Sequence, residues 1–193
     1  MIIGITGSIA TGKTFVTDYL LKKGYKVIDA DVISRGLLEK NGKCYQKVID
    51  SFNDILLENG DINRQKLGKL VFNDRNKKKT LEEIVHPEVI ETIFKKIDEL
   101  NIDNIFVSMP LLYEVGFEKY VNKVIVVYAN KETQIERLMR RDNIDRDYAI
   151  NKINNQMSLK EKVEKCDFLI DNSYEKEKTI EEIEKVLRKL EVW

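Results

Sequence analysis

Gly7-Ser-Ile-Ala-Thr-Gly-Lys-Thr14 carries two glycines separated by four residues, with a lysine and a hydroxyl residue directly after the second. The glycines permit tight curvature, so that successive backbone N–H groups can point inward at phosphate oxygens. A helix starting near Lys13 adds the positive end of its dipole. Lys13 then reaches the β- and γ-phosphates, and the Thr14 hydroxyl is the candidate ligand for Mg²⁺. Gly7, Ser8, Ile9, Ala10, Thr11, Gly12, Lys13, Thr14 and Phe15 are accordingly the candidate nucleotide-binding residues, and Thr14 the candidate metal ligand. The pattern specifies a nucleoside triphosphate but not the fate of its γ-phosphate, since switches, motors and kinases share it.

A guanine-reading switch needs Asn-Lys-x-Asp after a strand. The chain offers Asn130-Lys131-Glu132-Thr133, which lacks the aspartate and reads as the turn into a helix over 131–141. Two other groups of residues favour transfer chemistry. Asp29-Ala-Asp31 closes a short strand, and in an open parallel sheet the carboxyl ends of strands face the ligand crevice. Alternation puts both carboxylates on one side of this extended segment. One could take a proton from an attacking hydroxyl and the other hold a metal through water. The plainer reading makes Asp31 the cap of a helix over 32–38. Arg137, Arg140, Arg141 and Arg146 form the second group, the first three on one helical face. Guanidinium suits phosphate because it is always charged and binds in a fork, as a lid over a transferring phosphoryl group requires. The alternative is a solvated face paired with Glu136 and Asp142. His86, the only histidine, has no metal-like spacing and reads as a structural hydrogen-bonding group.

These residues need elements to hold them. The apolar runs at 2–6, 26–29, 104–108, 124–128 and 168–171 read as strands, and helical periodicity fills most of the remainder. Phe15, Val16, Tyr19 and Leu20 make a stripe stopped by Gly24. Ile180, Ile183, Val186, Leu187 and Leu190 make a second stripe near the C-terminus. From 32 to 100 the pattern is helical, clearest at 43–52, 64–72 and 87–100, with Pro87 suited to a first helical turn. Strands alternating with helices predict an α/β fold of the P-loop NTPase type. It would be a three-layer αβα arrangement on a five-stranded parallel sheet, within a single chain 1–193. The expected core is about 1–31, 101–136 and 166–193, with a helical insertion at about 32–100 and a lid at about 137–165.

Composition narrows the classes. Lysine and arginine number 33 against 33 aspartates and glutamates, and 42% of the residues are hydrophobic. No overall charge imbalance draws the chain to nucleic acid or a membrane, and Lys77-Lys78-Lys79 reads as a solvated loop or helix start. Cys44 and Cys166 show no metal or disulfide pattern, which fits a reducing compartment. No apolar run approaches the ~20 residues that span a bilayer, and the first residues lack a signal-peptide pattern. A cytoplasmic enzyme is expected, of undetermined oligomeric state, with no nucleic-acid or membrane partner.

In that order, the motifs resemble the dephospho-CoA kinase family. Ile3 to Thr14 is similar to its phosphate loop, and Val27-Ile-Asp-Ala-Asp31 with Arg35 to its Asp-Ala-Asp signature. Further along come Gly60 to Arg64, Leu67, Val71-Phe72, Leu81 and His86-Pro87. Pro110-Leu-Leu-Tyr-Glu114, Arg137, Arg141-Asp142, Gln156, Asp167 and Ile170-Asp-Asn172 complete the set. The resemblance implies ATP and Mg²⁺ as cofactors and phosphorylation of the ribose 3′-hydroxyl of dephospho-CoA. It implies Asp31 as general base, with Lys13, Arg137 and Arg141 as the other catalytic residues. Asp29, Asp31, Arg35, His86, Leu111, Tyr113 and Glu114 would serve the acceptor, within or beside the insertion. The chain departs from the family at Ser8, Ala10 and Thr11, where Gly, Gly and Ser are common, and Ala10 must hold the loop's dihedral angles without glycine's freedom. A nucleoside monophosphate kinase and a non-catalytic nucleotide switch are the alternatives.

Overall fold

The computed structural model describes residues 1–192, which form two compact units, Met1–Ile28 with 102–192 and Asp29–Asn101. β1 (Ile2–Gly7), β2 (Val27–Asp29), β3 (Ile105–Ser108), β4 (Lys123–Tyr128) and β5 (Phe168–Asp171) make one five-stranded sheet in the order β2-β3-β1-β4-β5. β1 lies at its centre, paired in parallel with β3 (Gly4 beside Val107) and with β4 (Gly4 beside Val124). The five strands are those expected from the apolar runs, to within a residue at each end.

Alternation along β1 decides which residues face which layer. Ile3 and Ile5 join Phe106, Ile125, Val127 and Ile170 in a core closed by Val16 and Leu20 of α1 (Lys13–Lys22) and by Ile183, Val186, Leu187 and Leu190 of the C-terminal helix α2 (Lys176–Leu190). Fully burying an isoleucine contributes about 1.5–3 kcal/mol, so this face is a main source of the unit's stability. Gly4 points to the opposite face, where a Cβ would come within 2.5 Å of Leu112 Cδ1. The first unit is completed by α3 (Lys131–Asp142), α4 (Arg146–Asn154) and α5 (Leu159–Lys165). Asn130 caps α3 by accepting from Thr133 N at 2.9 Å, so the Asn130-Lys131 pair opens a helix as expected.

The second unit is helical: α6 (Ala30–Leu37), α7 (Tyr45–Ser51), α8 (Arg64–Asn73) and α9 (Arg75–Leu100), with one antiparallel bridge between Leu56 and Ile62. Pro87 corrects the expectation for this region. It lies inside the 26-residue α9 rather than in a first turn. A mid-helix proline removes one ladder hydrogen bond. The helix continues because Val85, Val89 and Ile93 are buried on either side of it, and Asp74 caps its start by accepting from Asn76 N and Lys77 N. The Lys77–Lys79 run forms the exposed first turns, with Lys78 and Lys79 paired to Glu82 and Glu83 one turn on. No helix of the described residues is long and apolar enough to cross a membrane. Both cysteines are free thiols.

Candidate active site

The phosphate loop leaves β1 at Gly7 and enters α1 at Lys13. Gly12 is the N-cap, in the left-handed region at φ 86°, and makes no side-chain cap bond; the first turn of α1 carries no acidic residue. The start of the helix thus has neither a side-chain cap nor a carboxylate competing for its N–H groups, which is the donor set an anion requires. Ala10 is also left-handed, at φ 62°, so this chain reaches the loop's curvature with an alanine. That conformation costs an L-residue about 1–2 kcal/mol. Ile9 and Ala10 pack on Ile135, Leu138 and Ala149 of α3 and α4, which offsets it. Thr11 closes the turn through its Oγ1, donating to Ser8 O at 2.9 Å.

The loop is braced from behind. Asn172, just past β5, donates from Nδ2 to Thr11 O at 2.8 Å, and its Oδ1 accepts from Thr179 Oγ1 at 2.9 Å. Arg137 donates to Thr11 O at 3.4 Å and to Asn172 O at 2.9 Å. Burial, helped by Arg140, lowers the Arg137 pKa from its ordinary value. A Cβ on Gly12 would sit 2.0 Å from Asn172 Nδ2, so position 12 needs glycine for room as well as for φ. Gln156 Oε1 accepts from Ile9 N at 2.9 Å and Ser8 Oγ at 3.2 Å.

Lys13 donates from Nζ to Ser108 Oγ, 2.5 Å away at the end of β3. Thr14 is exposed beside it, whereas Phe15 packs its ring on the core under α1. Phe15 therefore belongs to the loop by its backbone, its N–H donating to Gly12 O at 2.9 Å. Among the described residues no three His, Cys, Asp or Glu side chains converge as a metal site. A Mg²⁺ ion here would rely on Thr14 and on phosphate oxygens, the usual arrangement for this cation. The residues present fit a nucleotide triphosphate with such an ion.

Among the described residues, Arg137 is the arginine bonded to the phosphate loop. Arg141 pairs with Asp142 (Nε to Oδ1, 2.8 Å), which also accepts from Lys152 Nζ at 2.7 Å. These two cations hold the Asp142 carboxyl down at about 2. Arg146 forms a fork with Glu132 at 2.6 and 2.7 Å.

In the second unit the aspartate pair departs from expectation. Ala30 and Asp31 are already helical, so Asp29 and Asp31 do not alternate along an extended strand. Asp29 is the N-cap of α6, accepting from Asp31 N at 2.8 Å and Val32 N at 3.3 Å, which takes the cap role away from Asp31. Asp31 is exposed in the first turn. Arg35 lies in the last turn of the same helix, its carbonyl accepting from Arg64 Nη2 at 3.2 Å. His86 lies within α9, where burial lowers its pKa.

Leu111, Tyr113 and Glu114 follow β3 in the first unit. The Tyr113 hydroxyl is buried without a hydrogen-bond partner, and its pKa is pushed up to about 12 by burial and by Cys166, Asp167 and Glu118. Glu114 Oε1 instead pairs with Lys162 Nζ at 2.9 Å and accepts from Met157 N at 3.2 Å. Ser108 and Lys162 escaped the sequence reading as contributors. Lys162 left a signal, because Leu159, Lys162, Val163 and Cys166 fall at the spacing of an inward helical stripe once Ser158 is taken as the cap.

A parallel sheet with an uncapped, glycine-lined helix start at the end of its central strand defines the P-loop class of nucleotide-binding proteins. The family model for dephospho-CoA kinase matches residues 1–178. A curated dephospho-CoA kinase of Carboxydothermus hydrogenoformans is 47% identical over 192 residues, covering 97% of this chain and 93% of its own. Among solved structures, the dephospho-CoA kinase from Campylobacter jejuni superposes with a TM-score of 0.73 at 32% identity, covering 98% of this chain and 96% of that one. A Thermus thermophilus protein superposes at 0.90 with 27% identity, covering 100% and 98%. The chain belongs to the dephospho-CoA kinase family.

Proposed function

We propose that this chain transfers the γ-phosphoryl group of ATP to the ribose 3′-hydroxyl of dephospho-CoA, releasing CoA and ADP. The observation that carries this reading is the family match over residues 1–178 of a chain whose phosphate cradle is intact. The loop's N–H groups and Lys13 hold the phosphates and meet the charge that develops on the transferring group. Thr14 would hold Mg²⁺, which would supply charge neutralisation at the phosphates. Asp31 takes the proton of the attacking hydroxyl as its oxygen bonds to phosphorus and the bond to ADP breaks. Asp29 carries the helix cap, and Asp31 lies exposed in the first turn of the same helix.

Arg137 acts from the loop side and Arg141 from the end of α3, where it exchanges Asp142 for phosphate while Lys152 keeps Asp142 paired. The insertion at about 32–100 binds the acceptor, with Asp29, Arg35 and His86 contributing. Leu111, Tyr113 and Glu114 are the further residues assigned to the acceptor. The lid spans about 137–165.

The test is incubation with ATP and Mg²⁺ plus dephospho-CoA, AMP, CMP or no acceptor. CoA formed only with dephospho-CoA supports the assignment, and phosphorylation of a nucleoside monophosphate instead refutes it.

A further inference from the structure

Lysine is almost never fully buried unless it is paired, yet the Lys162 side chain is 0% exposed. Its ammonium donates to Pro110 O at 2.7 Å and to Gly7 O at 3.5 Å, and pairs with Glu114 Oε1 at 2.9 Å. Those are three partners for a group with three donors. Pro110 O also accepts from Thr6 Oγ1 at 3.0 Å, so the same carbonyl ties the end of β1 to the segment after β3. Six residues earlier, Gln156 accepts from Ile9 N and Ser8 Oγ.

We propose that Lys162 is a positioning residue for the phosphate loop, fixing with Gln156 the two peptide planes by which the chain leaves β1. A peptide unit is planar and its N–H points opposite to its C=O. Holding Gly7 O against Lys162 therefore turns the N–H of Ser8 away from Lys162. Holding Ile9 N–H on Gln156 fixes the next plane. The start of the loop is thus set from behind by two side chains that need touch no phosphate. Asn172 and Arg137 set the Thr11–Gly12 plane at its far end in the same way. An apolar side chain at 162 would satisfy neither carbonyl nor Glu114, and the orphaned groups would turn to find partners.

This inference rests on the kinase reading for the loop's role, not on the acceptor's identity. ADP binding is therefore measured by calorimetry with Mg²⁺ and no acceptor, alongside thermal melting and the KM for ATP, in the wild type, Lys162→Met and Gln156→Ala. Expected are an ADP affinity lower by about tenfold or more in folded Lys162→Met and by about threefold in Gln156→Ala, with the KM for the acceptor moved less than that for ATP. A merely structural lysine would lower the melting temperature and leave the ADP affinity of the folded protein unchanged, and that result overturns the proposal. If Lys162→Met does not fold, Gln156→Ala decides, and wild-type ADP affinity in that variant overturns it. Wild-type protein that binds ADP but forms no CoA refutes only the acceptor assignment.

Discussion

The Lys13 ammonium donates to the Ser108 hydroxyl at 2.5 Å, joining the first residue of α1 to the last residue of β3. Ser108 is fully buried, so this hydroxyl is a fixed reference for a flexible side chain that must meet phosphate. Ser108→Ala is expected to leave the fold intact and to lower kcat/KM for ATP by about tenfold through loss of that placement. Steady-state kinetics at saturating acceptor measures it, and an unchanged value would mean that Lys13 is held by its other contacts alone.

Gly12 and Ala10 share a left-handed backbone but should respond differently to substitution. Gly12→Ala brings a Cβ to 2.0 Å from Asn172 Nδ2 and should abolish ADP binding and lower stability by about 2 kcal/mol or more. Ala10→Gly relieves the conformational strain but gives up backbone restriction and a methyl contact. Stability should change by less than about 1 kcal/mol, with ADP affinity kept. Chemical denaturation and ADP titration together check both.

The two aspartates of Asp29-Ala-Asp31 should separate by experiment. Asp29→Ala removes the α6 cap and is expected to cost about 1 kcal/mol in a denaturant melt, while Asp29→Asn keeps most of it. Asp31→Asn should melt like the wild type, bind ATP, and lose about 10²–10⁴ in turnover. A wild-type rate in that variant would remove Asp31 from the chemistry.

Stability should fall on the acid side in two stages. The His86 pKa is lowered by burial, so the unfolded chain binds its proton first. That contribution is complete above the ordinary value of 6.5 and declines as pH falls below it. The Asp142 carboxyl, held at about 2 against 3.8, contributes above 3.8 and is lost as pH falls toward 2. Its share is on the order of 1–2 kcal/mol and shrinks in high salt. His86→Gln should flatten the first limb and Asp142→Asn the second in urea melts across pH.

Local rules were enough for much of this protein. The five strands, the phosphate loop between β1 and α1, the turn into the helix at Asn130-Lys131 and the two amphipathic helices α1 and α2 were all legible in the sequence. Each depends on periodicity, glycine spacing or a cap, which are properties of neighbouring residues. The ordered motifs also carried the family. Pro87 was misread because a local rule about proline was outweighed by the burial of Val85, Val89 and Ile93. The shared extended face expected for the aspartate pair is absent because the helix begins at Ala30, two residues earlier than the 32–38 periodicity predicts. What only the tertiary structure decided is which distant groups meet: Lys13 with Ser108, Asn172 and Arg137 with Thr11, Lys162 with Gly7, Pro110 and Glu114. Those pairings join segments up to 161 residues apart, as between Asn172 and Thr11. No spacing rule along the chain encodes them, because they follow from burial that leaves polar groups only these partners.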